Sequence, residues 1–201
     1  NYFQNGGTSL IVTRAASASF SPASSSLIPT GSNSIGGTDA GFGTVGNSPF
    51  VLETLSDGVI MNSTSSAAGT PAGSNGTLPS GSSDNFRWEI SSPQTSSGVF
   101  SVIIRQGNDT QTAKQVVETF QNVSLDPLAT NYISKVIGDQ VQTVRGGVGD
   151  RYLQTSGSYR NASRYVRVSA VNFQTPNYLN NAGIAKDIYT SSIPATGSGS
   201  F

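Results

Sequence analysis

The groups able to do chemistry in this 201-residue sequence are few: eleven carboxylates, eleven lysines and arginines, seven tyrosines, and no histidine or cysteine at all. Without His, the usual acid/base group near neutral pH and the commonest metal ligand are missing. Without Cys there is no disulfide framework, thiolate metal site or cysteine nucleophile. Paired carboxylates remain, and a glycoside hydrolase needs two of them flanking a sugar cleft. Glu53 and Asp57 stand four residues apart, but the residues between them read as a strand followed by a turn, which gives them no common face. The acids are read as solvated surface groups. No catalytic, cofactor-binding or metal-binding residue is assigned, the chain is not read as an enzyme, and no specifically bound metal or cofactor is expected.

The basic groups are more suggestive. Arg145, Arg151, Arg160, Arg164 and Arg167 fall within a short stretch that carries Asp150 as its acid. Such a strip could dock onto an acidic neighbour and set its register; the residues assigned to this role are Arg151, Arg160, Arg164 and Arg167. Nucleic acid is a second reading, and solvated arginines on an outer strand face a third. The formal net charge of zero argues against a generic nucleic-acid binder, which carries a basic surplus. No apolar run approaches the roughly 18 residues of a membrane span, so neither nucleic acid nor membrane is expected as a partner. Trp88, the sole tryptophan, is assigned to the core, with a sugar-stacking platform as its exposed alternative. Glycosylation sequons at Asn62, Asn75, Asn108, Asn122 and Asn161 are no more than an Asn/Ser/Thr-rich chain carries by chance. Gly146-Gly147-Val148-Gly149 lacks the Lys-Ser/Thr of a phosphate loop and reads as a turn.

The elements that would position these groups follow from composition and period. Ser, Gly, Thr and Asn make up 90 of the 201 residues, and only 11% are charged. Small uncharged residues suit turns and exposed strand faces. Strands are expected over 9–15, 50–55, 59–61, 85–91, 99–105, 114–121, 141–145 and 164–171. In the fourth of these, Phe86, Trp88 and Ile90 alternate with Arg87 and Glu89, the mark of one buried face. Residues 99–105 are apolar on both faces and read as a central strand. The stretch 114–121 has helical spacing at Val116, Phe120 and Val123 but strand-favouring residues, and the turn before it decides for a hairpin. Asp126-Pro127 reads as a helix start, opening a helix near 127–138 that ends at Gly138, with Thr130 as an alternative cap. The fold class is a β-rich α+β domain with long polar loops. Residues 1–16 form an entering strand, 17–48 a Ser/Gly-rich loop or linker, 49–175 the domain with a long loop at 63–84, and 176–201 an exit linker.

The order of these segments resembles the contractile phage tail sheath proteins. Gln4-Asn5-Gly6-Gly7 before Leu10-Ile11-Val12-Thr13-Arg14 resembles the strand entry of that family. Phe50-Val51-Leu52 through Ser56-Asp57-Gly58 to Asn62 resembles its next strand and Asn-closed segment, with Val59-Ile60-Met61 where many sheaths have a Trp. Val117-Glu118-Thr119-Phe120-Gln121-Asn122-Val123-Ser124-Leu125-Asp126-Pro127 is similar to the family's acidic-aromatic strand, "Asn-Leu-Ser-Leu-Asp" and helix. Asn131-Tyr132-Ile133 and Val136-Ile137-Gly138-Asp139 continue that pattern. Ser163-Arg164-Tyr165-Val166-Arg167-Val168 resembles the strand that follows, and Gly197-Ser198-Gly199-Ser200-Phe201 the approach to the next sheath domain.

The resemblance implies a structural protein: an internal fragment of a virion sheath subunit that assembles in the host cytoplasm as a helical tube. The tube surrounds the inner tail tube and contracts to drive it into the host envelope. The implied partners are other copies of the same subunit, with the inner tube and baseplate reached through parts outside this sequence. Linking arms in those parts imply that residues 1–201 alone do not form tubes, since no long, free, apolar edge strand is legible here. The alternative is an extracellular adhesin or carbohydrate-binding β-domain. The periodic strands and the helix stripe also predict one apolar cluster of Phe86, Trp88, Ile90, Phe100, Val102, Ile104, Phe120, Tyr132, Val136 and Val166.

Overall fold

Strand-favouring residues with period two need a second layer to cover their apolar face, and the chain supplies one. The computed structural model describes residues 3–7, 9, 21–30, 48–55, 86–107 and 109–201. The described residues form a strand-rich α+β fold in which β1 (Phe50–Thr54), β2 (Phe86–Gln94), β3 (Val99–Gln106), β4 (Val116–Ser124), β5 (Val141–Arg145), β6 (Tyr152–Ser156), β7 (Val166–Val171) and β8 (Gly197–Ser200) are joined by short helical turns at Phe3–Asn5, Ile133–Ile137 and Asp187–Thr190. The main sheet has the order β4-β3-β2-β8, with β1-β7 and β5-β6 as two-stranded ribbons. Every ladder is antiparallel.

The core lies between one face of the main sheet and the β1-β7 ribbon. Phe86, Trp88 and Ile90 of β2 and Phe100, Val102 and Ile104 of β3 meet Phe50 and Leu52 of β1, Val166 and Val168 of β7, and Ile133 and Ile137 of the first full helical turn. Phe50 and Phe100 stack across the layers with ring centroids 5.6 Å apart. The expected cluster is therefore present, with Phe120 and Val136 half-buried at its border. Trp88 is only 1% exposed, and its indole N–H donates to Ser26 Oγ at 3.0 Å. A sugar-stacking role for it is thereby removed.

The strand expectations at 50–55, 85–91, 99–105, 141–145 and 164–171 match to within a few residues, and 114–121 is indeed a strand paired with β3. The expected strand at 59–61 and the loop at 63–84 lie outside the described residues, as does 9–15 apart from Ser9.

Three expectations are corrected. The helix near 127–138 shrinks to Ile133–Ile137. Asp126 and Pro127 instead open a turn in which Asp126 Oδ1 accepts from the Leu128 amide at 2.9 Å and Leu128 stays exposed. A helix cannot start there because Asn131 and Tyr132 are held against the end of β4. The Ser124 amide donates to Asn131 O at 2.9 Å, and Ser124 and Tyr132 form a bridge. Gly138 does stop the helix, at φ +106, where a Cβ would collide with the Asn161 backbone.

The second correction concerns 17–48: of its described residues, 21–30 and Ser48, the segment 21–30 stitches the two layers together. The Ser25 amide donates to Leu52 O and the Ser26 amide to Ser200 O, both at 2.8 Å, and Ile28 enters the core. Hydrogen bonding to two strand edges positions a segment too poor in large apolar residues to do so by burial alone. The third concerns 176–201, read as an exit linker. Its Gly197–Ser200 is a strand paired with β2, and Tyr178 and Ile193 are buried. A Gly-Ser strand gives no periodic apolar signal; the glycine is needed because the Trp88 ring lies directly over Gly199.

The polar face of the main sheet carries a network that the expected alternation left unexplained. Arg87 and Arg105 stand directly opposite each other on β2 and β3, an unfavourable like-charge pair. The 109–115 segment folds back over them. Asp109 accepts from Arg105 Nε at 2.6 Å and from Nη2 at 2.8 Å, a bidentate pairing. Glu89 takes Arg105 Nη1 at 2.8 Å and Lys114 Nζ at 2.6 Å. The Gln115 amide donates to Asp109 Oδ2 at 3.0 Å. Burial pushes the Asp109 carboxyl up, but the hydrogen bonds from Arg105 and the Gln115 amide and the charges of Arg105 and Arg87 outweigh it and hold the group below the ordinary carboxylate range.

Candidate functional site

The polar surface that could serve a partner is built around the β5-β6 ribbon. Gly146–Asp150 closes its loop, and Val144 faces Leu153 across it. Two-stranded ribbons are marginal on their own; this one is anchored at its base. Asn161 clasps Gln140, accepting from its amide at 3.0 Å and donating to its carbonyl at 2.7 Å. The Tyr159 amide donates to Asp139 Oδ1 at 2.7 Å. The Asn161 sequon is thus consumed by structure. Beyond the base the ribbon is open: Val144, Val148, Tyr152 and Leu153 are all exposed.

Between the ribbon and the end of β1 lies a cleft of about 500 Å³, lined among others by Leu55, Gln142, Leu153, Arg160 and Arg167. Only two of the four expected docking arginines meet there. Arg160 is exposed at its wall. Arg167 is committed elsewhere: its Nη2 pairs with Glu53 at 3.0 Å across β1 and β7. Arg151 is exposed beside the ribbon loop and Arg164 at the entry to β7, neither lining the cleft. The four arginines are therefore three separate exposed positions, Arg151, Arg160 and Arg164, and one cross-strand tie, Arg167. Glu53 is occupied by that tie, and Asp57 lies outside the described residues. Among the described residues no group of three or more His, Cys, Asp or Glu side chains is placed to hold a metal ion, and no helix is long and apolar enough to cross a membrane.

This division can be measured. Arg151→Glu and Arg160→Glu are expected to leave the unfolding free energy within about 0.5 kcal/mol, as exposed substitutions do. Arg167→Glu, which sets two carboxylates against each other, should lose about 1–3 kcal/mol. Urea titrations of the three variants test this, and equal stabilities would remove the structural role of Arg167.

Sequence reasoning missed β6 and the exposed Val144/Leu153 pair. A signal was present: five residues on each side of a Gly-rich turn, Val141–Arg145 and Tyr152–Ser156, satisfy hairpin geometry. It was weak because Tyr152–Ser156 buries neither face. No protein-family model, no curated protein and no solved structure matches the chain.

Proposed function

We propose that the chain is part of a structural subunit of a contractile phage tail sheath, which assembles as a helical tube around an inner tail tube and contracts to drive it into the host envelope. The observation that carries the reading is how the resembling segments meet. Glu118, in the segment most like the family, accepts from Ser163 Oγ at 2.6 Å and from the Arg164 amide at 3.0 Å. Ser163 Oγ in turn accepts from the Val166 amide at 3.0 Å. The two motifs, 45 residues apart, thus form one joint that aligns β4 with the start of β7, which gives the order of the resembling segments a common physical purpose.

A structural role also suits a domain whose ionic groups are spent on ties within the fold, as at Arg105 and Arg167. In this reading the exposed arginines Arg151, Arg160 and Arg164 face acidic surface on neighbouring copies, and contacts to inner tube and baseplate belong to other parts of the subunit. Electron microscopy of the full-length protein tests it. Regular tubes are the expected result; monomers that bind glycans would overturn the sheath reading in favour of an adhesin or carbohydrate-binding module.

β4 bears on assembly as well. It is nine residues long and, among the described residues, forms the outer strand of the main sheet, a longer edge than the sequence suggested. Register shifts at Phe100/Val102 and Ile104/Arg105 and the positive φ of Asn122 interrupt its regularity, devices that blunt uncontrolled edge pairing.

A further inference from the structure

We infer that the cleft beside the β5-β6 ribbon receives the exposed turn around Asp187–Ile188 of a second copy of this chain, in a head-to-tail contact. The inference deepens the proposed helical assembly by naming the two faces that meet.

The first face is concave. Leu55 and Leu153 give the cleft of about 500 Å³ apolar wall, and Arg160 stands at its side. Leu153 is 65% exposed, so the ribbon leaves apolar surface uncovered. The second face is convex. Ile184 and Ile188 are 62% and 73% exposed, beside Asp187 in the helical turn Asp187–Thr190. Lys186 is half-buried, its ammonium 5.7 Å over the Tyr189 ring, while Asp187 is exposed. Among the described residues neither Arg160 nor Asp187 has an ion-pair partner. A basic, apolar hollow and an acidic, apolar knob on one chain are complementary in both shape and sign.

One molecule cannot join its own two faces. The cleft adjoins the end of β1, where the Leu55 amide donates to Tyr165 O at 2.9 Å and the Tyr165 ring packs on Phe86 with centroids 5.0 Å apart. Phe86 begins β2. The knob is fastened beyond the other end of β2: the Tyr178 hydroxyl donates to Thr95 O, its ring lies against Gly98, and Tyr189 stacks on Tyr178. The nine residues of β2 span roughly 30 Å at strand rise. The two faces therefore sit at opposite ends of the domain. Contact between unlike faces of identical copies repeats without using itself up, which generates a ring or an open helical row.

The absence of cysteine allows a clean test. Leu153→Cys and Ile188→Cys chains, mixed under mild oxidation, are expected to form a mixed disulfide dimer about tenfold faster than Leu153→Cys mixed with a control at exposed Thr112→Cys, because a favoured encounter raises the local concentration. Adding Arg160→Glu to one chain, or Asp187→Lys to the other, should each slow trapping, and the two together should restore it. Trapping no faster than the control, or charge reversals without mutual rescue, would overturn the contact. The result separates from the sheath reading: full-length tubes without selective trapping would overturn only this contact, and selective trapping without tubes would support it while overturning the sheath.

Discussion

Replacing Asp109 by Ala is expected to destabilise the protein by about 3–5 kcal/mol, the usual result of removing one partner from a buried ion pair. Arg105 is 1% exposed, so its guanidinium would keep one carboxylate, Glu89, and lose the bidentate one. The same change removes the acceptor for the Gln115 amide and frees the 109–115 segment from the sheet. With whole-domain stabilities of about 5–15 kcal/mol, a loss of this size shows plainly in a urea midpoint. Arg105→Met combined with Asp109→Leu should recover much of it, because both charges leave together. A loss below about 1 kcal/mol for Asp109→Ala would place the pair with ordinary exposed ion pairs.

The pH dependence has a definite sign. The Asp109 carboxyl lies below its ordinary value in the folded protein, so the unfolded chain takes up this proton first as pH falls. Its contribution is fully present above the unfolded carboxylate value of about 3.9 and is lost as pH drops through the lower, folded value. Unfolding midpoints of the parent protein should decline on acidification below about pH 4, and Asp109→Asn should flatten that decline.

Trp88→Ala should cost about 3–5 kcal/mol, from lost burial and the cavity left behind. The ring covers Gly199 on the paired strand β8 and ties Ser26 to the sheet, so its loss also loosens the 21–30 segment. Gly199→Ala attacks the same site from the other side. A Cβ there would come within 2.6 Å of the indole, and overpacking of this kind costs about 1–3 kcal/mol. As the only tryptophan, Trp88 reports on itself: blue emission resistant to iodide is expected, and red emission readily quenched would contradict its packing.

Residue periodicity by itself determined the strand-rich class, the buried face of β2, the central place of β3 and the membership of most of the core. The face assignments rest on a local rule: alternation sorts side chains to two faces whatever lies beyond them. β3 is central as expected, but only its Phe100-Val102-Ile104 face is fully buried, the other being half-buried and carrying Arg105 into the polar network. The exclusion of cysteine and histidine chemistry was equally legible, since it depends on residue types alone. What only the tertiary structure decided involves partners distant in sequence. Gly197–Ser200 became a strand because β2 offered an edge and Trp88 left room for no side chain. Residues 21–30 were placed by hydrogen bonds to Leu52 and Ser200. The helix lost its first turns to a bridge with Ser124. Of the four docking arginines, the sequence showed the charges but not their surroundings; Arg167 turned inward to Glu53, 114 residues away, while Arg160 was left at a cleft whose walls come from β1, the ribbon and β7. An arginine's charge is written in its codon, but whether it is spent within the fold or offered to a neighbour depends on which carboxylate folding brings beside it.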